Sequence, residues 1–479
     1  MLKNRNWIVI VGSLLFVLVN TVAIAREIPY VPILSLLAVA AYLLVFRVDL
    51  AMYLLAIVTP FSFQLEDEKI NIGLSLPAEL LMIALTLLFL CRVCYDLSIR
   101  RDLLKHPITI AIFAYLLWMF ITCITSEIPV VSFKFWISKI WFIVSSYFMV
   151  IHLMDNKLGN WVRYFVCYAA ALACVVVITT VKHAMVGFDE HIAHWIMSPY
   201  YNDHTAYGAV LALFIPIVTG FIFLPEISRK AKLLLGVILG ILLVGFYLSF
   251  SRAAWLSLVG AMGIWVVVKL RIRFTWFISI LAIVVALFMA FSTEILYTMS
   301  RNSQDSSGNF VEHLQSISNI STDASNVERL NRWNSAFGMI EERPILGWGP
   351  GTYQFVYAPF QNSQYHTIIT TNLGDGGNAH SEYIGPCAET GFVGLATVLA
   401  LVITSLYYGL MTYRLSRNRT VRILSLSATL ALITYFIHGT MNNFLDTDKL
   451  SLPFWGLFAL ITVLNVMYVQ KDREWNYLT

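Results

Sequence analysis

Residues 232–269 read KLLLGVILGILLVGFYLSFSRAAWLSLVGAMGIWVVVK, two apolar runs that are separated by the short stretch SFSR. Each run approaches the roughly 20 residues that a helix needs to cross a bilayer. Comparable runs recur along the chain of 479 residues, of which 58% are hydrophobic and 13% are charged. So little charge could not cover the surface of a soluble domain of this size. The sequence therefore predicts an all-α polytopic membrane protein.

The apolar runs predict about 12 to 14 transmembrane helices. Two of the runs, 28–46 and 49–64, are short and contain proline, so they could be broken or re-entrant. The first run ends in Ala23-Ile24-Ala25, which resembles a signal-peptidase site, but its length favours an uncleaved helix. The predicted spans are 7–25, 28–46, 49–64, 77–95, 107–125, 136–154, 161–184, 206–224, 232–250, 253–269, 272–291, 388–411, 421–439 and 451–470.

The distribution of lysine and arginine orients the chain, because cytoplasmic loops are enriched in these residues. With the N-terminus in the cytoplasm, most basic residues fall in cytoplasmic loops, and 292–387 becomes one large, partly helical outer loop. The chain then divides into N-terminal membrane helices at 1–291, this loop, and C-terminal membrane helices at 388–479. The stretches 185–205 and 440–450 also face outward on this map.

Arg252 ends the stretch SFSR at the outer end of a span, where the charge distribution disfavours a cation. An arginine near a membrane surface either snorkels to lipid headgroups or has a function. The functional alternative is a guanidinium fork aimed at a phosphate, since the two match in geometry.

The segment NVERLNRWNSAFGMIEERPILGWGPGTY (326–353) begins with a predicted helix. Its apolar stripe is formed by Leu330, Trp333, Phe337 and Ile340. Arg329 and Arg332 lie three residues apart, so both can point the same way, either to solvent or into a site.

Pro344 ends this helix, since the residue before a proline avoids helical geometry. Gly347, Gly349 and Gly351 follow, and glycine permits tight turns and close backbone approach. The stretch lacks the lysine and hydroxyl residue of a nucleotide-binding P-loop. It is either a phosphate-binding loop of another kind or a turn that packs the outer loop on the membrane helices.

The segment GGNAHSEYIGPCAETGFVG (376–394) contains His380 and Glu389 just before the next span. Histidine titrates near neutral pH and can take a proton from a sugar hydroxyl. A single histidine is more often a structural hydrogen-bonding group, but here outward-facing arginines are available to share its site.

The segment SPYYNDHTAYGAVLAL (198–213) places Asn202, Asp203 and His204 where a span begins. A helix N-cap explains one of these residues but not all three. The neighbouring tyrosines, among them Tyr207, either form an interfacial aromatic belt or stack on a sugar.

In order along the chain, YNDHTAYGAVLAL, SFSRAAW, ERLNRW with MIEERPILGWGPGTY, HSEYIGPCAETGFVG and HGTMNNFLDTDKLSLPFWGL resemble the O-antigen ligase and O-antigen polymerase superfamily of bacterial envelope glycosyltransferases. The resemblance covers about residues 198–460. It implies a polytopic enzyme of the bacterial inner membrane whose active site faces the periplasm. The family's usual asparagine after the histidine is Ser381 here.

The resemblance implies an inverting, metal-independent glycosyltransferase without a cofactor. Its donor would be an undecaprenyl-diphosphate-linked glycan, and its acceptor a hydroxyl of the lipid A–core oligosaccharide. By motif, Arg252, Arg329 and His380 are the implied catalytic residues. The candidate substrate-binding residues are Arg332, Asn202, Asp203, His204, Tyr207 and Glu389. We expect the three catalytic residues to converge on one cavity at the outer rim of the membrane.

Other functions fit the same sequence. An O-antigen polymerase or a protein O-oligosaccharyltransferase of the same superfamily would differ only in its acceptor. A membrane transporter would use charged residues within spans, such as Glu79 and Lys139, but it would place its polar residues near the middle of the bilayer. A non-catalytic assembly scaffold would tolerate loss of His380.

Overall fold

The computed structural model describes residues 2–26, 30–67, 72–96, 100–154, 157–272, 324–361 and 377–470. Within these residues, ten helices are long and apolar enough to cross a membrane. The β-structure in the described ranges is one sheet of two strands. The predicted all-α fold is confirmed, and the protein is a multi-pass membrane protein.

The first part of the chain contains thirteen described helices and one β-hairpin. In chain order these are α1 Leu2–Ala25, α2 Tyr30–Phe46, α3 Val48–Val58, β1 Phe63–Asp67, β2 Ile72–Leu76, α4 Ala78–Asp96, α5 Arg101–Leu104, α6 Pro107–Ile124, α7 Pro129–Ile143, α8 Met149–Met154, α9 Leu158–Met185, α10 Glu190–Ala193, α11 His204–Ile222, α12 Arg229–Leu248 and α13 Arg252–Lys269. A π-helical turn at Val144–Phe148 joins α7 and α8 into one candidate span, Pro129–Met154.

Among its described residues, the second part of the chain contributes two α-helices before the last three long ones. In chain order these are α14 Ala324–Glu342, α15 Tyr353–Val356, α16 Ile384–Leu415, α17 Arg419–His438 and α18 Asp448–Asn465. A π-helical turn at Val466–Gln470 extends α18.

Most predicted spans from 77–95 onward match a helix, but several helices begin a few residues early. For α11 and α17 the cause is polar capping, which hydropathy does not detect. The side chain of Asp203 accepts hydrogen bonds from the first turn of α11, and Asn418 caps α17 in the same way. Such caps let a helix start before its apolar run. The predicted span 272–291 lies almost entirely outside the described residues.

The predicted span 49–64 is wrong at its C-terminal end. Helix α3 ends at Val58, and a 3₁₀ turn at Thr59–Phe61 leads into β1. Pro60 sits in that turn and cannot donate a helical hydrogen bond. The two strands pair antiparallel, with Phe63 opposite Leu76.

The helix core surrounds α18, whose side chains from Leu450 to Leu464 are all buried. A helix that is apolar on every side belongs in the interior. A second, smaller core joins α14 to the start of α16 through Met339, Trp348 and Ala388. This second core fixes the described part of the predicted outer loop on the membrane helices.

The predicted apolar stripe of α14 is only partly buried: Ile340 is buried and Trp333 is half-buried. Leu330 and Phe337 are exposed, whereas Glu328, Arg332 and Ser335 are buried. Hydropathy alone could not show this, because the polar side chains are satisfied by partners from the same helix and from residue 378. The buried face of α14 is therefore polar at Glu328, Arg332 and Ser335 and apolar at Ala336 and Met339.

Candidate active site

Several helices begin or end together at one end of the bundle, here named the site end. Helices α11, α13, α16 and α18 begin there, and α12 and α17 end there. Gly208 of α11 faces Ser251, where an added Cβ would lie 2.8 Å from the serine Cβ. The N–H of Glu382 donates to the carbonyl of Gly439, 2.8 Å away. Helix N-termini carry partial positive charge, which favours anions directly beside them.

Arg252 is the first residue of α13 and is half-buried. Ser251 caps the helix, and its side chain accepts from Ala254 N at 3.4 Å. The Arg252 guanidinium is close enough to interact electrostatically with His204 at the start of α11. The close packing of the two helix starts brings these residues together.

Arg329 of α14 occupies the middle of the predicted site. Its charge acts on three histidines, His204, His380 and His438. His438 is the buried last residue of α17, and its Nε2 lies 3.3 Å from Asn442 Nδ2. The arginine thus links α11, α17 and the segment before α16.

His380 has a left-handed backbone with φ 47°. Its N–H donates to Asn378 Oδ1 at 3.0 Å, which closes a tight turn. Burial and the positive charges of Arg332 and Arg329 lower the pKa of His380 to about 3. The imidazole is therefore neutral at pH 7, and the same surroundings weaken it as a base in the free protein. A non-glycine residue in this conformation is uncommon and often occurs at functional sites.

Arg332 is held by other protein groups. Its Nε donates to Glu328 Oε1 at 2.8 Å, and Nη1 donates to the Asn378 carbonyl at 3.2 Å. The guanidinium carbon also lies 5.4 Å from the centre of the Tyr357 ring. These contacts place Arg332 behind the His380 turn, where it supports the turn. Its predicted contact with substrate stays a prediction.

The three residues of the motif Asn202-Asp203-His204 each make a different kind of contact. Asn202 Nδ2 donates to Gln64 Oε1 at 2.8 Å and so ties α11 to the hairpin. Asp203 Oδ1 accepts from the N–H groups of Thr205 and Ala206, which makes it the N-cap of α11. The His204 ring packs against the His194 ring, with 4.0 Å between ring centroids.

Tyr207 lies in the helix core, with 3% of its surface exposed. Its hydroxyl pairs with Thr179 Oγ1 at 3.1 Å, and its ring packs against Tyr201. In this conformation Tyr207 does not line the cavity, because it is the inward-facing residue of the first turns of α11. Tyr201, which lies against it, does line the cavity.

Glu389 is hydrogen-bonded to the glycine-rich stretch that contains Gly347, Gly349 and Gly351. The Glu389 carbonyl accepts from Gly349 N at 2.7 Å, and the Phe392 N–H donates to the Pro344 carbonyl at 2.8 Å. Gly391 interrupts α16 with φ 71°, and a Cβ there would lie 2.0 Å from the Ile345 oxygen. The expected close backbone approach is thus present, and the glycines fasten the loop to the start of α16.

A cavity of about 780 Å³ lies beside this cluster. It is bounded by α7, the glycine-rich loop, the β-hairpin and the loop between α17 and α18. Of the predicted site residues, Asn202, Asp203 and Glu389 line it. Within the described residues, Arg252, Arg329 and His380 form no part of its wall. The three therefore share one electrostatic cluster, but that cluster adjoins the cavity instead of lining it.

Sequence reasoning missed several charged residues of the cavity wall. Glu382 Oε1 accepts from Phe444 N and Leu445 N, each at 2.9 Å, and Asp446 is exposed. Lys139, which the sequence suggested only as a charge for a transporter, donates from Nζ to the Leu445 carbonyl at 2.7 Å. For the two missed acidic residues the signal was present: they stand just before two apolar runs, in HSEYIG and LDTDK. Across the described ranges, no cluster of three or more His, Cys, Asp or Glu residues is arranged to hold a metal ion.

The cluster combines fixed cations, convergent helix N-termini and a neutral histidine. Such an arrangement can bind a multiply charged anion and stabilise negative charge that develops on a leaving group. The histidine is able to accept a proton from a hydroxyl next to it. The site is therefore suited to transfer of a group from a phosphate to a hydroxyl.

Comparison with known proteins agrees with this chemistry. Residues 237–399 match the family model described as O-antigen ligase. An uncharacterised protein of Haemophilus influenzae is 22% identical over 237 residues, which is 49% of this chain and 57% of that protein. The match thus spans little more than half of that relative. The match at residues 237–399 supports the resemblance of this chain to the O-antigen ligase superfamily.

Proposed function

We propose that this protein is an O-antigen ligase. It transfers a glycan from undecaprenyl diphosphate to a hydroxyl of the lipid A–core oligosaccharide. It acts in the bacterial inner membrane with its site end toward the periplasm, and 292–387 is its periplasmic loop. The chemistry needs no metal ion and inverts the anomeric centre.

In the proposed reaction, the acceptor oxygen attacks the anomeric carbon of the donor sugar. A bond forms between that carbon and the acceptor oxygen, and the bond from the carbon to the phosphate oxygen breaks. The acceptor proton passes to His380, and undecaprenyl diphosphate leaves. Arg252 and Arg329 stabilise the charge that grows on the diphosphate. Fixed cations suit this task, because they need no reorganisation during the reaction.

The observation that carries the proposal is the position of Arg329 among three histidines, one of which also interacts with Arg252. Arg329, Arg252 and the three histidines come from five separate parts of the chain. Arg252 and Arg329 both act on His204, so the two charges lie in the same part of the fold. A diphosphate is an anion that two such guanidinium groups can bind together.

The position of the charged residues argues against a transporter. Glu79 lies in the first turn of α4 and lines the cavity at the site end. Lys139 is tied to the loop between α17 and α18 through the Leu445 carbonyl. Glu79 and Lys139, the charged residues that a transporter would use, thus lie at the same end of the bundle as the proposed active site.

The test is glycan transfer by purified protein in detergent micelles. The donor is an undecaprenyl-diphosphate-linked glycan, and the acceptors are lipid A–core, a second donor molecule and an acceptor protein. We expect transfer to lipid A–core. Growth of the glycan on its lipid carrier would identify a polymerase, and glycosylated protein would identify a protein O-oligosaccharyltransferase. A transporter would form no glycosylated product in this assay, and micelles offer no second compartment into which it could move the donor.

A further inference from the structure

Two large apolar side chains are exposed at the turn between α14 and the glycine-rich stretch. Ile345 is 64% exposed and Leu346 is 38% exposed. The residues on either side of this turn in the chain, Met339 and Trp348, are by contrast buried in the small core that joins α14 to α16. The turn therefore directs its two apolar side chains away from the protein.

The turn adjoins the end of an apolar stripe on α16. The Phe392 N–H donates to the Pro344 carbonyl at 2.8 Å, and a Cβ added to Gly391 would lie 2.0 Å from the Ile345 oxygen. Beyond Gly391, exposed residues of α16 recur every three or four positions, so they share one face of the helix. These residues are Phe392, Ala396, Leu399, Ile403 and Tyr407.

The depth of the turn in the membrane follows from the length of α16, which is one of the candidate spans. Arg414 is exposed near the end of α16 that lies away from the site end. From there, the hydrocarbon layer of roughly 30 Å takes up about 20 helical residues, which places its other boundary close to Phe392. The turn at Ile345 and Leu346 therefore lies where hydrocarbon meets the lipid headgroups.

The surroundings of the turn suit this shallow depth. Glu341 and Glu342 are exposed just before it, so they mark the side that faces water. Pro344 has no N–H group, and the Gly347 N–H donates to the Arg343 carbonyl at 3.2 Å. The backbone of the turn thus brings few unpaired polar groups to the lipid surface.

We infer that Ile345 and Leu346 insert into the lipid leaflet at the site end, where they contact the acyl chains of ordinary phospholipids. Their apolar surface continues the face of α16 that the bilayer already covers, and removing such surface from water is favourable. The glycine-rich stretch is then held from two sides, by Glu389 within the protein and by lipid at the preceding turn. This inference does not depend on the proposed function.

The test uses the full chain in lipid nanodiscs, with an environment-sensitive fluorescent amino acid in place of Ile345. The nanodisc phospholipids carry a nitroxide quencher either near the headgroup or near the end of the acyl chain. We expect the quencher near the headgroup to remove most of the fluorescence and the deeper quencher to remove less. Iodide in the water should quench weakly. A second variant carries the label in place of Leu346, and the unfolding temperature of each variant shows whether it is folded.

Two labelled control positions bracket the result. A label in place of Glu342 should respond to iodide and not to lipid quenchers, because this residue is exposed on the water side. A label in place of Ile403, about halfway along the span, should respond most to the deeper quencher.

Three results would overturn the inference. Labels at 345 and 346 that behave like the label at 342 would place the turn in water. Protection from both iodide and lipid quenchers would show that a second protein chain covers the turn. Loss of lipid quenching when a polyprenyl phosphate is added would show that a polyprenyl chain, and not phospholipid, occupies this surface.

Discussion

The carboxylate of Glu389 accepts a hydrogen bond from the backbone N–H of Tyr353, with 3.1 Å between Oε1 and N. One residue is at the start of α16, and the other follows the glycine-rich stretch. The contact explains why the two motifs occur in one chain. The loop is held over the cavity by the residue that also lines it.

Removing this carboxylate should loosen the loop. In Glu389→Ala a buried backbone N–H loses its partner, which costs about 1–3 kcal/mol. We expect a lower thermal unfolding midpoint in detergent and faster proteolysis within 343–361. Glu389→Gln keeps an acceptor oxygen and should lose less. The exposed Glu342→Ala is the control, and equal cleavage of all these variants would contradict the assignment.

Gly347 should tolerate no side chain. Its φ is 66°, and an added Cβ would lie 2.3 Å from the backbone carbon of Glu389. Left-handed strain alone costs on the order of 1–3 kcal/mol, and the backbone contact adds to it. We expect Gly347→Ala to unfold at a clearly lower temperature than the natural protein.

The matched control for Gly347 is Gly263→Ala in α13, where an added Cβ meets no heavy atom within 4 Å. That substitution should be neutral or slightly stabilising, since alanine favours a helix. Equal unfolding temperatures for the two variants would show that the loop does not hold the geometry described.

Arg252, Arg329 and His380 should each be needed for transfer. If they stabilise the leaving diphosphate or accept the proton, alanine at each position lowers kcat on the order of 10²-fold or more. Arg252→Lys and Arg329→Lys keep the charge but lose the planar fork, so intermediate losses are expected.

Arg417→Ala serves as the control for these arginines, because it removes an exposed arginine at the other end of the bundle. The measurement is the micelle transfer assay on variants whose unfolding temperatures match the natural protein. Normal turnover by well-folded alanine variants at all three positions would remove the proposed mechanism.

His380 should become more basic when an anion binds. In the free protein its pKa is about 3, owing to burial and to Arg332 and Arg329. Diphosphate offsets those two positive charges, so the pKa of His380 rises and proton transfer from a hydroxyl becomes easier. The measurement is NMR of ¹³C-labelled histidine, with the His380 signal assigned by its loss in His380→Gln. Without pyrophosphate, the His380 signal should show no titration above pH 5.

With pyrophosphate present, the His380 signal should titrate at higher pH. An ordinary histidine pKa in the free protein would contradict the buried, positively charged environment. An unchanged pKa with bound pyrophosphate would place the anion elsewhere.

Arg332 should matter more for folding than for turnover. Its ion pair with Glu328 joins side chains that are 9% and 4% exposed. Removing one partner of a buried pair costs about 3–5 kcal/mol, because the other charge is left unpaired. Arg332→Met alone should therefore be much less stable than Arg332→Met combined with Glu328→Leu. Equal stability of the two, measured by thermal unfolding, would show that the pair is unimportant.

The motifs identified the residues of the cluster, yet they did not show their surroundings. The stretch SFSR singled out Arg252, and HSEYIG singled out His380. Neither stretch indicated that His438, close to Arg329, would join them, because its partners lie far away in the chain. The apolar stripe of α14 did not show that Arg332 is buried. That burial depends on hydrogen bonds to Glu328 and to the Asn378 carbonyl.

The amino-acid sequence by itself determined that the chain crosses a membrane many times, because run length and apolar content are local properties. It also determined where the glycines and charged motifs stand. Only the tertiary structure decided that Arg329 lies among three histidines, that Glu389 holds the glycine-rich loop, and that Glu382 and Lys139 both line the neighbouring cavity. These are contacts between residues far apart in the chain, and they depend on helix packing and hydrogen bonding that no local pattern encodes.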